Sequence, residues 1–166
     1  MQPAEEQDRR PGRRPALVLA MLVLAADLVT KQVMLDWIFD PPRRVPVLPF
    51  LDFVPVWNPG ISFGMLASGG IVVTVLLTVL AFAVAAWMLW KAPGFQPMER
   101  LGAGLIAGGA VGNAIDRIRF GKVVDFIDVY VQTWHWPAFN IADAAITVGA
   151  VLWIVSLFVE QENGPT

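Results

Sequence analysis

The sequence predicts an all-α membrane protein with four transmembrane helices, and three observations carry that prediction. First, 56% of the 166 residues are hydrophobic and only 16% are charged, where a soluble domain carries about 25% charged residues. Second, the apolar residues fall in blocks long enough to cross a hydrocarbon layer of about 30 Å, more than a core of this size could absorb. Third, the polar residues within and beside those blocks collect at one depth. Mean hydropathy is +0.59.

Composition also limits the chemistry. The chain has no cysteine and one histidine, His135. Disulfides, thiol nucleophiles, cysteine metal sites and multi-histidine metal sites are therefore excluded, and no metal or other cofactor is expected. Serine is scarce, so carboxylates are the best-supplied candidates for catalysis. A net charge of -2 without a basic surface gives no reason to expect nucleic acid as a partner.

Residues 1–15 read as a disordered basic tail holding Arg9, Arg10, Arg13 and Arg14. A basic tail before an apolar start could be a signal peptide with Ala25-Ala26 near its cleavage point, but the apolar pattern continues to Phe39 and three more spans follow. The first span, about Ala16 to Ile38, contains Asp27 and Lys31. At about 1.5 Å per residue these lie roughly 17 and 23 Å along the helix, within the membrane. Four residues apart with the acid first, they can pair on one face. They either snorkel or face a polar interior.

The stretch 40–57 holds Pro41, Pro42, Pro46, Pro49 and Pro55, which forbid a helical interior. Its valines and phenylalanines suggest short extended pieces. Asn58-Pro59-Gly60 is a turn, and the residues after it are too few to span, which predicts a short interfacial helix over 61–66. Residues Ile71 to Trp90 form an uncharged span ended by Lys91-Ala92-Pro93-Gly94. The third span, Leu101 to about Ile115, repeats glycine at 104, 108 and 112, which lets a neighbouring helix approach closely. Asn113, Asp116 and Arg117 share one of its faces. Residues 118–138 return to the surface with Asp125, Asp128 and His135. The last span is Ala144 to Val159, preceded by Asn140 as a helix cap with Asp143 three residues on. A single domain over 16–160, with surface excursions at 40–68 and 118–138 and a tail at 161–166, follows.

Four spans place both termini on one side, and the basic tail argues that this side is the cytoplasm. The full cation count is tied at six to each side. Tryptophan supports the layout better: Trp37, Trp57, Trp134 and Trp136 mark one interface, Trp87 and Trp90 the other. On this layout Asp27, Lys31, Asn58, Asn113, Asp116, Arg117, Asp125, Asn140 and Asp143 gather near the outer face. Carboxylates held at a membrane are expensive and usually mark function. Two acids brought close share one proton, and such a pair can activate water without a metal. Asp125 and Asp143 are the pair expected, with Asp128 a rival for the first. If the helix start favours ionised Asp143, Asp125 more often holds the proton.

At these residues the chain resembles the lipoprotein signal peptidases, the signal peptidase II family of membrane aspartyl proteases. Asp27-Leu-Val-Thr30-Lys31, Asn58-Pro-Gly60-Ile-Ser-Phe63, Gly108 to Arg117, Val123-Val-Asp125-Phe126 and Phe139-Asn140-Ile-Ala142-Asp143 match five family motifs in order. Ile61 stands where alanine is frequent. The resemblance implies cleavage of diacylglyceryl-prolipoproteins just before the lipid-bearing cysteine, at the periplasmic face of the bacterial inner membrane. It implies Asp125 and Asp143 as catalytic residues, with Asp27, Lys31, Asn58, Gly60, Asn113, Asp116, Arg117 and Asn140 supporting or binding substrate. It also implies a small periplasmic β-cradle from the 45–57 segment, contact with membrane lipid, and a monomer. An intramembrane protease of the presenilin type would carry Gly-x-Gly-Asp, absent before both acids. A transporter would show mid-membrane helix breaks and repeats.

Overall fold

The computed structural model describes residues 12–60 and 70–162. The chain runs α1 (Arg14–Ile38), β1 (Val45–Leu48), β2 (Leu51–Asn58), α2 (Gly70–Lys91), a 3-10 turn (Ala92–Gly94), α3 (Pro97–Phe120), β3 (Val123–Val131), β4 (Trp134–His135) and α4 (Ile141–Glu162). It is mostly helical with one small antiparallel sheet. Helices α1, α2 and α4 are each long and apolar enough to cross a membrane. The interfacial helix expected over 61–66 lies outside the described residues, as do the first eleven and last four positions.

Helix ends follow local chemistry. Pro15 sits in the first turn of α1, where its missing N–H costs nothing. The Glu99 carboxylate accepts the Gln96 N–H at 2.9 Å and starts α3. Gly121, at φ 70°, ends α3 in the left-handed conformation and donates its N–H to Arg117 O at 2.9 Å. This corrects the expected end near Ile115: Asn113, Asp116 and Arg117 lie inside the helix, because the stop is the glycine and the polar side chains point into the protein. Helix α4 begins at Ile141, directly after the expected Asn140 cap and three residues before the apolar span that starts at Ala144.

Helix α3 forms the centre, with α1, α2 and α4 packed around it. Its small residues make that possible. A Cβ on Gly104 or Gly108 would lie 2.9 Å from Ala16 O or 2.5 Å from Ala20 O, so this stripe receives α1. A second stripe receives α4: a Cβ on Gly102 would meet Gly149 O at 2.7 Å, and one on Gly149 would meet Gly102 O at 2.8 Å. Backbones this close gain dispersion contacts that larger residues would forbid. The substitution Gly108→Val is expected to force α1 and α3 apart and destabilise the chain by about 1–3 kcal/mol or more. Thermal unfolding in detergent reads this; an unchanged midpoint would contradict the packing.

The sheet order is β1-β2-β3-β4. The sequence predicts extended pieces only in 45–57; β3, through the second excursion, pairs with them over Leu51↔Val129 to Asn58↔Val123. Pro46 is tolerated because β1 is an edge strand, and Pro55 because it lies in the register shift between Phe53 and Val56. Val124 and Phe126 pack on Met34, Ile38 and Phe39, which fastens the sheet to the end of α1. Past β4, Phe139 returns to β3: Ile127 N donates to Phe139 O at 2.9 Å and Phe139 N to Ile127 O at 3.0 Å. That bridge delivers the start of α4 to the middle of β3.

Candidate active site

Side chains alternate along a strand. With Val124 and Phe126 committed to the apolar layer, Asp125 points the other way, and it is 1% exposed. Its register partner is Val56, which brings Asn58 within reach: Asn58 Nδ2 donates to Asp125 Oδ2 at 2.9 Å. Asn58 Oδ1 in turn accepts the Gly60 N–H at 3.0 Å. Asp143 occupies the first turn of α4. Its N–H donates to Asn140 Oδ1 at 2.9 Å, and its Oδ2 accepts the Asn140 N–H at 3.3 Å, a reciprocal cap. Its Oδ1 accepts Asn113 Nδ2 at 2.7 Å.

Asn140, fully buried, ties the two acids together. The same side chain that caps Asp143 donates through Nδ2 to Asp125 Oδ1 at 2.7 Å and to Asn113 Oδ1 at 3.2 Å. Burial first, and the charge of Asp143 second, push the Asp125 carboxyl from its ordinary 3.8 up to about 7. Hydrogen bonds from Asn58 and Asn140 oppose that rise without cancelling it.

Beneath the pair lies a buried ionic cluster. Lys31 Nζ stands 2.8 Å from Asp27 Oδ2 and 2.8 Å from Asp116 Oδ2, and donates to Asn113 Oδ1 at 3.0 Å. All three charged residues are at most 2% exposed. Each carboxylate also holds a backbone amide: Asp27 Oδ1 accepts Ala142 N at 3.0 Å, and Asp116 Oδ2 accepts Val124 N at 3.1 Å. Ala142 immediately precedes Asp143, and Val124 immediately precedes Asp125. The cluster therefore fixes the backbone on which both acids stand. Above it, Arg117 donates to Gly60 O at 3.0 Å and to its own helix at Asn113 O, linking α3 to the chain leaving β2.

The structure thus gathers Asp125, Asp143, Asp27, Lys31, Asn58, Gly60, Asn113, Asp116, Arg117 and Asn140 at one end of the bundle. Asp128 goes elsewhere. Three residues along β3 from Asp125, it faces the opposite side, where His135 Nδ1 lies 2.9 Å away and Arg44 3.8 Å away. Arg44 also pairs with Asp52. His135 stacks on Tyr130 and belongs to this sheet cluster, not to the acid pair. The part played by the Ala142 and Val124 amides is not legible in the sequence, because an amide carries no side-chain signal.

Asp143 and Thr147 border two clefts. One of about 390 Å³ runs between α2, α3 and α4. The other, about 490 Å³, lies along α4 beside Trp136, Pro137 and Phe139. A chain laid across the two would pass over Asp143.

Comparison with known proteins gives the family and the fold. Residues 19–159 match the family model described as signal peptidase (SPase) II. The chain is 42% identical over 158 residues to the lipoprotein signal peptidase of Cupriavidus necator, covering 92% of this chain and 89% of that one. It is 43% identical over 141 residues to the lipoprotein signal peptidase of Polynucleobacter necessarius, covering 83% and 85%. A bacterial membrane enzyme solved by the in meso method at 2.3 Å superposes with a TM-score of 0.78 at 26% identity, over 92% of both chains. With a family match that reaches from the first helix to the last, the chain belongs to the signal peptidase II family and is an integral membrane protease.

Proposed function

We propose that the protein is an aspartic endopeptidase that removes signal peptides from prolipoproteins, cutting before the diacylglyceryl-modified cysteine. One observation carries the reading: two carboxylates from separate elements are joined through the Asn140 side chain, and one of them holds its proton to about pH 7. The name of the Cupriavidus relative supports the substrate class.

Asp143 accepts hydrogen bonds from the Asn113 amide and the Asn140 N–H at a helix start, which suits it to the role of base. Asp125 then carries the shared proton. Asp143 takes a proton from a bound water as the oxygen attacks the scissile carbonyl, and Asp125 donates to the carbonyl oxygen. Collapse of the tetrahedral intermediate returns a proton from Asp143 to the leaving amide nitrogen, the C–N bond breaks, and Asp125 recovers its proton. Lys31, Asp27 and Asp116 position the backbone, while Asn58, Gly60 and Arg117 shape the entry to the pair.

The same reading places four spans in the bacterial inner membrane. Helix α3 has 24 residues, about 36 Å, and its flanking helices shield its small, polar-ended surface from lipid. Both termini lie in the cytoplasm, the sheet forms the periplasmic cradle, and residues 16–160 act as one domain in a monomer.

Purified full-length protein in detergent, given a lipobox peptide with and without diacylglycerol on its cysteine, tests the assignment. Cleavage of the lipidated form before cysteine is expected. Intact lipidated peptide after prolonged incubation would remove the reading.

The rate should also report the shared proton. On the alkaline side kcat/KM is expected to fall with a midpoint near 7, as Asp125 ionises, and on the acid side as Asp143 is protonated. Stability follows the same sign. Asp125 binds its proton more tightly folded than unfolded, so its contribution is complete below about pH 4 and is lost as pH rises through about 7. A kcat/KM that stays flat from about pH 5 to about pH 9 would contradict the proton assignment.

A further inference from the structure

Basic residues favour the cytoplasmic side of a membrane, yet six stand at the end of the bundle that carries the sheet: Lys31, Arg43, Arg44, Arg117, Arg119 and Lys122. Four of them are committed within the protein. Lys31 neutralises Asp27 and Asp116, Arg44 pairs with Asp52, and Arg117 holds Gly60 O. Arg43 donates its Nε–H to Trp37 O at 2.9 Å, near the end of α1. Arg119 and Lys122 are left over. Both are exposed, and neither pairs with a carboxylate among the described residues.

These two cations rest on aromatic rings. Arg119 Cζ lies 4.7 Å from the centre of the Phe120 ring, and Lys122 Nζ lies 5.9 Å from that of Trp57. The two rings meet edge to face at 5.4 Å, and Trp57 is held in turn by buried Phe39 at 5.1 Å. A second contact fixes the depth of Arg119: its Nη2 donates to Gln32 Oε1 of α1 at 3.5 Å. Val29 and Val33, which flank Gln32 in α1, are 62% and 51% exposed, and Ile118 beside Arg119 is 65% exposed. On a membrane protein such side chains face lipid, so the guanidinium stands where hydrocarbon gives way to headgroups. Asp36, one turn further along α1, accepts the Gln32 amide at 3.0 Å instead of pairing with Arg119.

The anion that balances this pair has two sources outside the chain. A small anion in water is held weakly by exposed charges, because salt screens them. A lipid phosphate is confined to this depth at high local concentration, and Trp57 and Ile118 offer an apolar surface to the glycerol and the first methylenes below it.

We infer that Arg119 and Lys122, set on the Trp57–Phe120 ring pair, bind the phosphate of an anionic phospholipid in the leaflet that borders the sheet. The ligand is a membrane lipid and not the substrate. Bound there, it ties the ends of α3 and β2 to headgroup depth, and from those ends Arg117 and Asn58 reach the acid pair. Lipid binding requires that this end of the bundle lie at a membrane surface and does not require the peptidase reaction.

The test places full-length protein in phosphatidylcholine vesicles with a trace of spin-labelled phosphatidylglycerol or spin-labelled phosphatidylcholine. Electron paramagnetic resonance reads the fraction of each label that the protein immobilises. The basic N-terminal residues also attract anionic lipid, so the reference chain and its variants all carry Arg9→Gln, Arg10→Gln, Arg13→Gln and Arg14→Gln. Phosphatidylglycerol is expected to be preferred over phosphatidylcholine by about threefold or more. The preference is expected to vanish in Arg119→Gln/Lys122→Gln and to persist in Arg119→Lys/Lys122→Arg, which keeps both charges. The site would be overturned by no preference in the reference chain, by one that survives the glutamine pair, or by one lost equally in the charge-keeping pair. Loss of the preference when inorganic phosphate replaces chloride at constant ionic strength would also overturn it, by showing a site for free anions. Cleavage of the lipidated peptide is read separately. Lipid preference without cleavage would sink the peptidase reading and leave this site standing, and cleavage without preference would do the reverse.

Discussion

Asp125→Asn and Asp143→Asn are each expected to lower kcat by about a thousandfold or more while leaving the fold intact. General acid–base catalysis contributes about 10²–10⁴-fold, and in the mechanism we propose one pair supplies both the base for water and the acid for the carbonyl. An amide can neither hold the shared proton nor take one, so either substitution disables both roles. The double variant should therefore be no slower than either single one, since residues that act as a unit are strongly non-additive. Stability should fall by no more than about 1–3 kcal/mol, because asparagine keeps the shape and relieves the burial of an acid that is 1% exposed at position 125, while its NH2 replaces one of two accepting oxygens. Turnover of the lipidated peptide, its binding to the inactive variants and their thermal midpoints check all three points. Asp128→Asn is the control: engaged with Arg44 and His135, it should leave turnover within a few-fold of the parent. Substantial activity in Asp125→Asn, or a dead Asp128→Asn that still folds, would reverse the assignment.

Lys31→Met should produce the largest loss of stability. It leaves Asp27 and Asp116, both at most 1% exposed, without the cation that stands 2.8 Å from each. Breaking a buried ion pair from one side destabilises by about 3–5 kcal/mol, because the remaining charge is uncompensated. In a chain of this size that is a fall of roughly 10 °C in the thermal midpoint. Neutralising the carboxylates as well, with Asp27→Leu and Asp116→Leu added to Lys31→Met, should recover much of the stability, as apolar replacements of buried ionic triads often do. It should not recover activity. The Ala142 and Val124 amides would lose their acceptors, and the backbone carrying Asp143 and Asp125 would lose its fixed spacing. A triple variant that is both stable and active would show that the cluster serves the fold alone. Lys31→Met with an unchanged midpoint would show that it does not serve the fold either.

How far the residue string can be read is clearest in particular elements. The α1, α2 and α4 spans are legible because unbroken apolar blocks of that length match the thickness of a bilayer and exceed what so small a core could bury. That a helix packs closely on α3 is legible from the glycines at 104, 108 and 112, though not that the helix is α1. The matching stripe at Gly102 and Gly109 toward α4 is not, since the glycine that meets it, Gly149, stands on a separate helix far along the chain. Strand β3 is not legible either. Its residues Val123 to Asp128 are apolar and acidic without simple alternation, because the strand is buried on both faces. The cap at Asn140 is readable, being a local motif, but not its second role as the bridge to Asp125, which is a contact between distant segments.

The sequence by itself determined a membrane chain, its long apolar helices, and a small stock of polar residues too costly in lipid to be accidental. Local rules suffice for these, since hydropathy and capping act over a few neighbouring residues. The tertiary structure alone decided that Lys31 neutralises two acids at once, that those acids hold the amides preceding Asp125 and Asp143, and that Asp128 turns away. These depend on strand register and on how closely α1 and α4 approach α3. Such distances are set by packing between segments far apart in the chain, and no local pattern encodes them.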